Sequence, residues 1–323
     1  MNYLITGGCG FQGSHMAQYL ASKGHFVRIL NIKEPSAIDT AKRYLDGPEI
    51  IWGSVSDRDM LTRCMQGMDR VFHFGAVLNV EGTGTRQIIP EILPLQLRFP
   101  GIFEEAWAKY QENILGLKGV LQAAQTHGCI VNHISSAFVY GGGTAIPETS
   151  ELRPTNAYAV SKACEEYLCT EFIEKGAKVK IIRTFNIYGE RQRPSGLGSV
   201  IPSFFESAMR KRPLTMLGDG SQVRDILNIR DVIAGYALID NKDALAGKAV
   251  NLASGKGIRI IDLCKRILSI TGGNEDLIEF KEPRKGDVKE LIADISLISS
   301  LGFKPLIDLD TGLELYHTWR SGQ

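Results

Sequence analysis

One short stretch near the start constrains this chain more than anything else in it. Thr6-Gly7-Gly8-Cys9-Gly10-Phe11-Gln12-Gly13-Ser14 follows an apolar run at 3–6 and opens a segment of helical period at 14–22. Gly8, Gly10 and Gly13 satisfy G-x-G-x-x-G, and Gly7 adds a second register. Glycines there permit a tight turn, let the backbone approach a pyrophosphate, and let the helix pack close to the strand. The helix N-terminus then offers unpaired amides to phosphate oxygens. Alone the motif is weak evidence; directly after a first strand and before a helix it specifies a dinucleotide-binding βαβ start.

The rest of the first half keeps that rhythm. Apolar runs at 26–30, 50–52, 70–74, 130–135 and 179–183 read as buried strands, and segments at 58–65, 102–126 and 157–173 read as helices. Such alternation predicts an α/β fold over 1–183: a Rossmann-type, doubly wound parallel sheet with helices on both faces. Beyond 183 the period breaks at glycine and proline clusters: 189–198, Arg212-Pro213 and Gly218-Asp219-Gly220. A smaller, mixed α/β second domain at 184–323 is expected from this change, and 323 residues suit two domains. Between 81 and 101, Pro90, Pro94 and Pro100 punctuate a stretch that neither period describes; it reads as a long loop or lid.

Lys and Arg number 37 against 36 acidic residues, so no broad field exists to hold nucleic acid or an anionic membrane. Any anion must be gripped locally. Met1 runs straight into Asn2-Tyr3-Leu4-Ile5-Thr6, unlike a signal peptide, and no window reaches the roughly 18 apolar residues of a membrane span. A cytoplasmic, membrane-free protein is expected. The six cysteines, Cys9, Cys64, Cys129, Cys164, Cys169 and Cys264, form no CxxC pair and no zinc-ligand spacing, so buried reduced thiols and no metal are expected.

Chemistry concentrates at Tyr158-Ala159-Val160-Ser161-Lys162, which sets a phenol and an ammonium one turn apart on one helix face. A nearby cation favours phenolate, so the pair can take a proton from an alcohol or give one to a ketone. Spacing alone decides nothing, because Tyr19 and Lys23 share it in the first helix, where they read as ordinary helix residues. Position separates the two pairs. Tyr158 follows the fifth strand and its exit Ser135-Ser136-Ala137-Phe138-Val139-Tyr140-Gly141, and ligands of doubly wound sheets lie at the carboxyl ends of the strands. Ser136 can then hydrogen-bond the reacting oxygen. Where an acidic residue ordinarily ends the second strand and holds the adenosine ribose, Asn31 stands, with Lys33 close behind. An amide can bond a hydroxyl and does not repel a 2′-phosphate, so NAD and NADP both stay open, with NAD slightly favoured.

Together these residues resemble the extended short-chain dehydrogenase/reductase family, in its NAD-dependent nucleotide-sugar epimerase/dehydratase branch. Further matching segments are Phe74-Gly75-Ala76, Asn113-Ile114-Leu115-Gly116, Arg183-Thr184-Phe185-Asn186-Ile187-Tyr188-Gly189, Gly218-Asp219-Gly220-Ser221-Gln222-Val223-Arg224-Asp225 and Pro283-Arg284-Lys285-Gly286-Asp287. The resemblance implies that Ser136, Tyr158 and Lys162 are the catalytic set, with Lys162 also holding the nicotinamide ribose. Gly7, Gly10, Phe11, Gln12, Gly13, Asn31, Ser54, Val55, Phe74, Gly75, Ala76 and Asn113 would complete the cofactor site. Asn186 would meet the substrate diphosphate, and Arg224 and Arg284 would pair with its two phosphates. The plain alternative for either arginine is a surface ion pair. The chain departs from the family at two cofactor positions, where Asn31 and Ser54 replace the ribose-binding and adenine-contacting Asp. The 81–101 segment is also longer than the family's usual.

Dehydratases of this branch carry an Asp-Glu pair after the catalytic hydroxyl; here those positions are Ala137 and Phe138. Epimerisation of a nucleotide-diphosphate sugar is therefore expected ahead of dehydration. Tyr158 would take the proton of a sugar hydroxyl, most simply the 4-OH, while hydride passes to bound NAD. The keto sugar would turn before hydride returns to its other face, tethered by its diphosphate. A net NAD(P)-dependent oxidoreductase or a dehydratase is the alternative. A catalytically silent dinucleotide sensor, which the fold can also host, has no use for Ser136, Tyr158 and Lys162 together. The resemblance further implies a homodimer through the helices of Asn113 and Tyr158, although Ile114, Leu117, Val120 and Leu121 equally suit packing on the sheet.

Overall fold

A computed structural model describes residues 1–75, 87–194, 199–283 and 287–323. Its first half runs β1 (Asn2–Thr6), α1 (Phe11–Ser22), β2 (Phe26–Asn31), α2 (Pro35–Tyr44), β3 (Glu49–Trp52), α3 (Arg58–Met65), β4 (Arg70–His73), α4 (Leu93–Arg98), α5 (Ile102–His127), β5 (Ile130–Ser136), β6 (Gly143–Ile146), α6 (Ala157–Glu174) and β7 (Val179–Thr184). The second half runs β8 (Asn186–Tyr188), α7 (Val200–Met209), β9 (Leu214–Leu217), β10 (Val223–Asn228), α8 (Ile229–Asp240), β11 (Ala249–Leu252), β12 (Gly257–Arg259), α9 (Ile260–Thr271), β13 (Ile278–Lys281), β14 (Glu290–Ala293), α10 (Ser296–Ser300) and α11 (Leu309–Ser321).

The chain forms two compact units. Met1–Val139, Pro154–Arg183 and Ile239–Val250 make the first; Tyr140–Arg153, Thr184–Leu238 and Asn251–Gln323 make the second. Residues 140–153 and 239–250 thus depart from a single break at 183/184, because β6 pairs with β14 and the approach to β11 pairs with β7 through Gly247 N to Val179 O at 2.7 Å.

The first unit is the expected doubly wound sheet, seven strands in the order β11-β7-β5-β4-β1-β2-β3, parallel from β5 to β3. Leu4, Ile5, Ile29, Val71 and Phe72 are wholly buried in it. All strands and helices expected before residue 183 form, because the apolar runs are buried on both faces of the sheet. Two helical pieces were hidden by prolines. In α2, Pro35 occupies the first turn. Within 81–101 the expected loop is corrected: a 3-10 turn at Pro90–Ile92 leads into α4, with a proline in the first turn of each. A missing N–H costs no hydrogen bond at that position. Ile92 and Leu95 are buried, and Glu91 accepts from Lys118 of α5 at 2.6 Å; residues 81–86 lie outside the described residues. In the second unit, β10 pairs antiparallel with β12 and parallel with β14 and β8, the mixed sheet expected there, and β13 pairs with β9 in a separate two-stranded sheet.

Candidate active site

The strand order of the first unit reverses between β1 and β4, which places a ligand crevice beyond their carboxyl ends. Two glycines meet there. Gly7 has φ +72°, and a Cβ on it would lie 2.9 Å from Gly75 N; a Cβ on Gly13 would lie 2.4 Å from Gly7 O. The turn is pinned by Gly7 N to Leu30 O and Gly10 N to Gly7 O, both 3.0 Å. Helix α1 opens at Phe11 on Gly10, with no side-chain cap and no acidic residue in its first turn. Such an end suits a diphosphate: nothing negative competes for it. Burial pushes the Cys9 thiol up to about 11, so this cysteine is inert, and all six cysteines are free and buried.

Asn31 has a task that its sequence position does not reveal. Its Oδ1 accepts from Cys9 N at 3.0 Å, inside the glycine turn, and its Nδ2 donates to Ile32 O at 2.9 Å. Ser54 Oγ accepts from Ser56 N, while Val55 sits over α5 where a Cβ on Gly116 would come 2.6 Å from its γ-carbon. Phe74 stacks on Phe72, and Asn113 is buried on α5. Ala76 lies outside the described residues.

Asn156 caps α6 by accepting from Ala159 N at 2.9 Å, which starts the helix one residue before Tyr158. The half-buried Tyr158 ring meets Tyr110 and Phe138 edge-on, with centroids 6.0 and 6.5 Å away. Ser136 ends β5 and its Oγ accepts from Phe138 N. Lys162, one turn on from Tyr158, is buried; its Nζ donates to Ile134 O at 3.2 Å and to Glu165 Oε2 at 2.7 Å. Burial disfavours this ammonium, but the Glu165 carboxylate and the Tyr158 oxygen outweigh it and hold Lys162 above the usual lysine value. The three expected catalytic residues thus share the β5 exit and the first turns of α6.

Sequence reasoning missed the groups behind them. His133 Nε2 lies 3.3 Å from Glu165 Oε2, and next along the helix Glu166 accepts from Arg183 at 2.7 Å and from Ser135 at 2.5 Å. The available signal was polarity out of place: Asn132-His133 inside an apolar strand and Glu165-Glu166 on a buried helix face. By contrast, Lys23 lies 5.5 Å over the Tyr19 ring, the ordinary helix pair expected.

In the second unit Asn186 opens β8, and its buried Oδ1 has no hydrogen-bond partner among the described residues. Arg224 on β10 is buried rather than on the surface, donating to Asp287 at 2.8 Å and to Val223 O at 3.0 Å. Burial draws its guanidinium below the usual arginine value, against the pull of Asp287. Arg284 lies outside the described residues. Among the described residues no cluster of three His, Cys, Asp or Glu is placed to hold a metal, and no helix is long and apolar enough to cross a membrane.

A doubly wound sheet with a glycine turn at its switch point and a Tyr-Lys helix beyond β5 defines a dinucleotide-dependent enzyme of the extended short-chain dehydrogenase/reductase type. The model of the NAD dependent epimerase/dehydratase family matches residues 3–88 and 101–253. The chain belongs to this family, and NAD is its cofactor. The gap in the match falls on the helical segment at 90–98. The chain is 30% identical over 285 residues to a UDP-N-acetyl-alpha-D-glucosaminuronate decarboxylase of Bacillus cytotoxicus, covering 85% of this chain and 82% of that one. It is 28% identical over 324 residues to a putative UDP-glucose 4-epimerase of Methanocaldococcus jannaschii, covering 98% and 97%. The crystal structure of UDP-glucose 4-epimerase from Thermotoga maritima with UDP-glucose superposes with a TM-score of 0.84 at 27% identity, over 100% of this chain and 99% of that one.

Proposed function

We propose that this protein is a nucleotide-sugar 4-epimerase that acts on a UDP-linked or similar sugar diphosphate with tightly held NAD. The observation that carries the reading is the Tyr158–Lys162 pair beside Phe138: a phenol poised for proton transfer, with an apolar ring where elimination of water needs an acid. The 4-epimerase names among the relatives support it. NAD, when bound, accepts two electrons from a sugar carbon and returns them. Tyr158 takes the 4-OH proton and gives it back to the same oxygen once the turned sugar presents the opposite face of its C4; Ser136 orients that oxygen; Lys162 favours the phenolate. Because the proton returns within the cycle, the residues need no external acid. The dinucleotide belongs to the first unit. By family resemblance Asn186, Arg224 and Arg284 would grip the substrate diphosphate, leaving the sugar free to turn.

The expected homodimer uses the helices of Asn113 and Tyr158, and Glu91 already ties residues 90–98 to the Asn113 helix through Lys118, so a partner would meet that segment too. Light scattering would give about twice 35.6 kDa for a dimer. The protein is expected in the cytoplasm.

The deciding test is to purify the protein, denature it, and identify the released dinucleotide by mass spectrometry, then assay a panel of UDP-, GDP-, CDP- and dTDP-sugars. Retained NAD that emerges unchanged after inversion of a sugar supports the epimerase. A requirement for stoichiometric NAD or NADPH would replace it with a net oxidoreductase, and release of a 4-keto-6-deoxy sugar with a dehydratase.

A further inference from the structure

Behind Lys162 the first unit's sheet carries a row of polar side chains that proton transfer at Tyr158 does not itself require. Thr6, His73 and His133 occupy facing positions on β1, β4 and β5, since the register pairs Thr6 with His73 and His73 with His133. Thr6 Oγ1 lies 2.7 Å from His73 Nδ1, and the two imidazoles stack with centroids 5.8 Å apart. His133 Nε2 lies 3.3 Å from Glu165 Oε2, the oxygen that accepts from Lys162. None of these four is more than 2% exposed. His73 Nε2, both His133 ring nitrogens and Glu165 Oε1 have no hydrogen-bond partner among the described residues. A core that only needed filling would be more stable with apolar side chains here, because a buried carboxylate costs several kcal/mol to desolvate.

We propose that Glu165, braced by packing against His133, which stacks on His73, is a positioning residue that fixes the Lys162 ammonium on the sheet side of α6 and limits the positive field reaching Tyr158. This rests on the catalytic reading of Tyr158 and Lys162. An ammonium has three N–H groups; Ile134 O and Glu165 engage two of them, and the third is left to aim at a ligand. The carboxylate 2.7 Å away turns the lysine's isolated charge into a dipole, whose field falls off faster towards the phenol. The other charged or titratable groups facing Glu165 do not offset this. His133 from β5 and His73 from β4 are held neutral by burial and by the charge of Lys162. On α6 itself, Glu166 is engaged by Arg183 of β7 and by Ser135, and Cys169 is a buried thiol whose ionisation burial opposes.

Glu165→Gln keeps the shape and removes the charge. Its acidic limb of kcat/KM is expected to move to lower pH by about one unit. Glu165→Ala also frees the ammonium, so its plateau kcat should fall about tenfold with substrate KM little changed. Where Glu165→Gln folds poorly, His133→Phe keeps ring volume and weakens the brace, and should move the limb in the same direction by less. Activity in Tyr158→Phe would overturn the catalytic reading. An inactive Tyr158→Phe together with unmoved pH limbs in both Glu165→Gln and His133→Phe would overturn the role of Glu165 alone.

Discussion

At Gly13 a Cβ would lie 2.4 Å from Gly7 O and 2.8 Å from Gly8 Cα, both backbone atoms of the turn that must face the NAD diphosphate. Neither can move without opening the turn, so Gly13→Ala is expected to fold but to bind NAD at least about tenfold more weakly. Calorimetric titration of the refolded, NAD-free protein checks this; an unchanged Kd would mean that the turn tolerates opening. Tyr158 carries the other residue-level prediction. Tyr158→Phe removes only the hydroxyl, so kcat should fall by about 10²- to 10⁴-fold while retained NAD and thermal midpoint stay near those of the parent. Single-turnover assay beside a melting curve separates a chemical defect from a folding one. The glycine turn, Tyr158 and Lys162 were legible because their meaning is local: a spacing and its place after a strand. The bond of Cys9 N to Asn31 and the approach of Glu165 to His133 were not, since they depend on which residue of one element faces which residue of another.

The strands of the first sheet were legible for a similar reason, as continuous apolar runs, but two of them hide an element-level liability. On β4 and β5, burial and the charge of Lys162 hold His73 down to about 3 and His133 well below its ordinary value. Their folded values lie below the unfolded value of 6.5, so between those limits the unfolded chain binds more protons. Their contribution is complete above about pH 6.5 and is lost progressively as pH falls towards 3. Glu165, whose carboxyl burial raises, opposes this by taking up a proton more readily when folded, but it is one group against two. The urea midpoint is therefore expected to drop from pH 7.5 to pH 5, and His73→Asn should flatten that slope. A midpoint independent of pH over this range would contradict the neutral, buried state of the pair. In the 81–101 stretch the prolines obscure α4, although Pro94 sits in its first turn, where it breaks nothing; Pro35 likewise sits in the first turn of α2.

At the scale of the molecule, the feature that sequence could not announce is the return of residues 239–250 to the first unit. Alternating period says nothing about a short edge strand added long after the sheet it joins. What holds the segment is chemical as well as geometric. Asp240, 1% exposed, accepts from Tyr3 Oη at 2.9 Å, Asn132 Nδ2 at 2.7 Å and Arg70 Nη1 at 3.2 Å, and its own carbonyl accepts from Lys180 Nζ at 2.6 Å. One carboxylate therefore joins β1, β4 and β5 at the ends of the strands remote from the catalytic residues, and its backbone adds β7. Asp240→Ala removes the buried carboxylate from Arg70 and Tyr3, leaving Arg70 with the backbone carbonyl of residue 240 and, among the described residues, Asp243 as its remaining acidic partner. Removing one member of such a pair costs about 3–5 kcal/mol. Asp240→Asn keeps an acceptor oxygen and should recover part of that loss. Urea unfolding followed by fluorescence measures both. A loss below about 1 kcal/mol in Asp240→Ala would mean that water or Asp243 takes over the arginine and that the packing of β11, not the carboxylate, holds the segment in place.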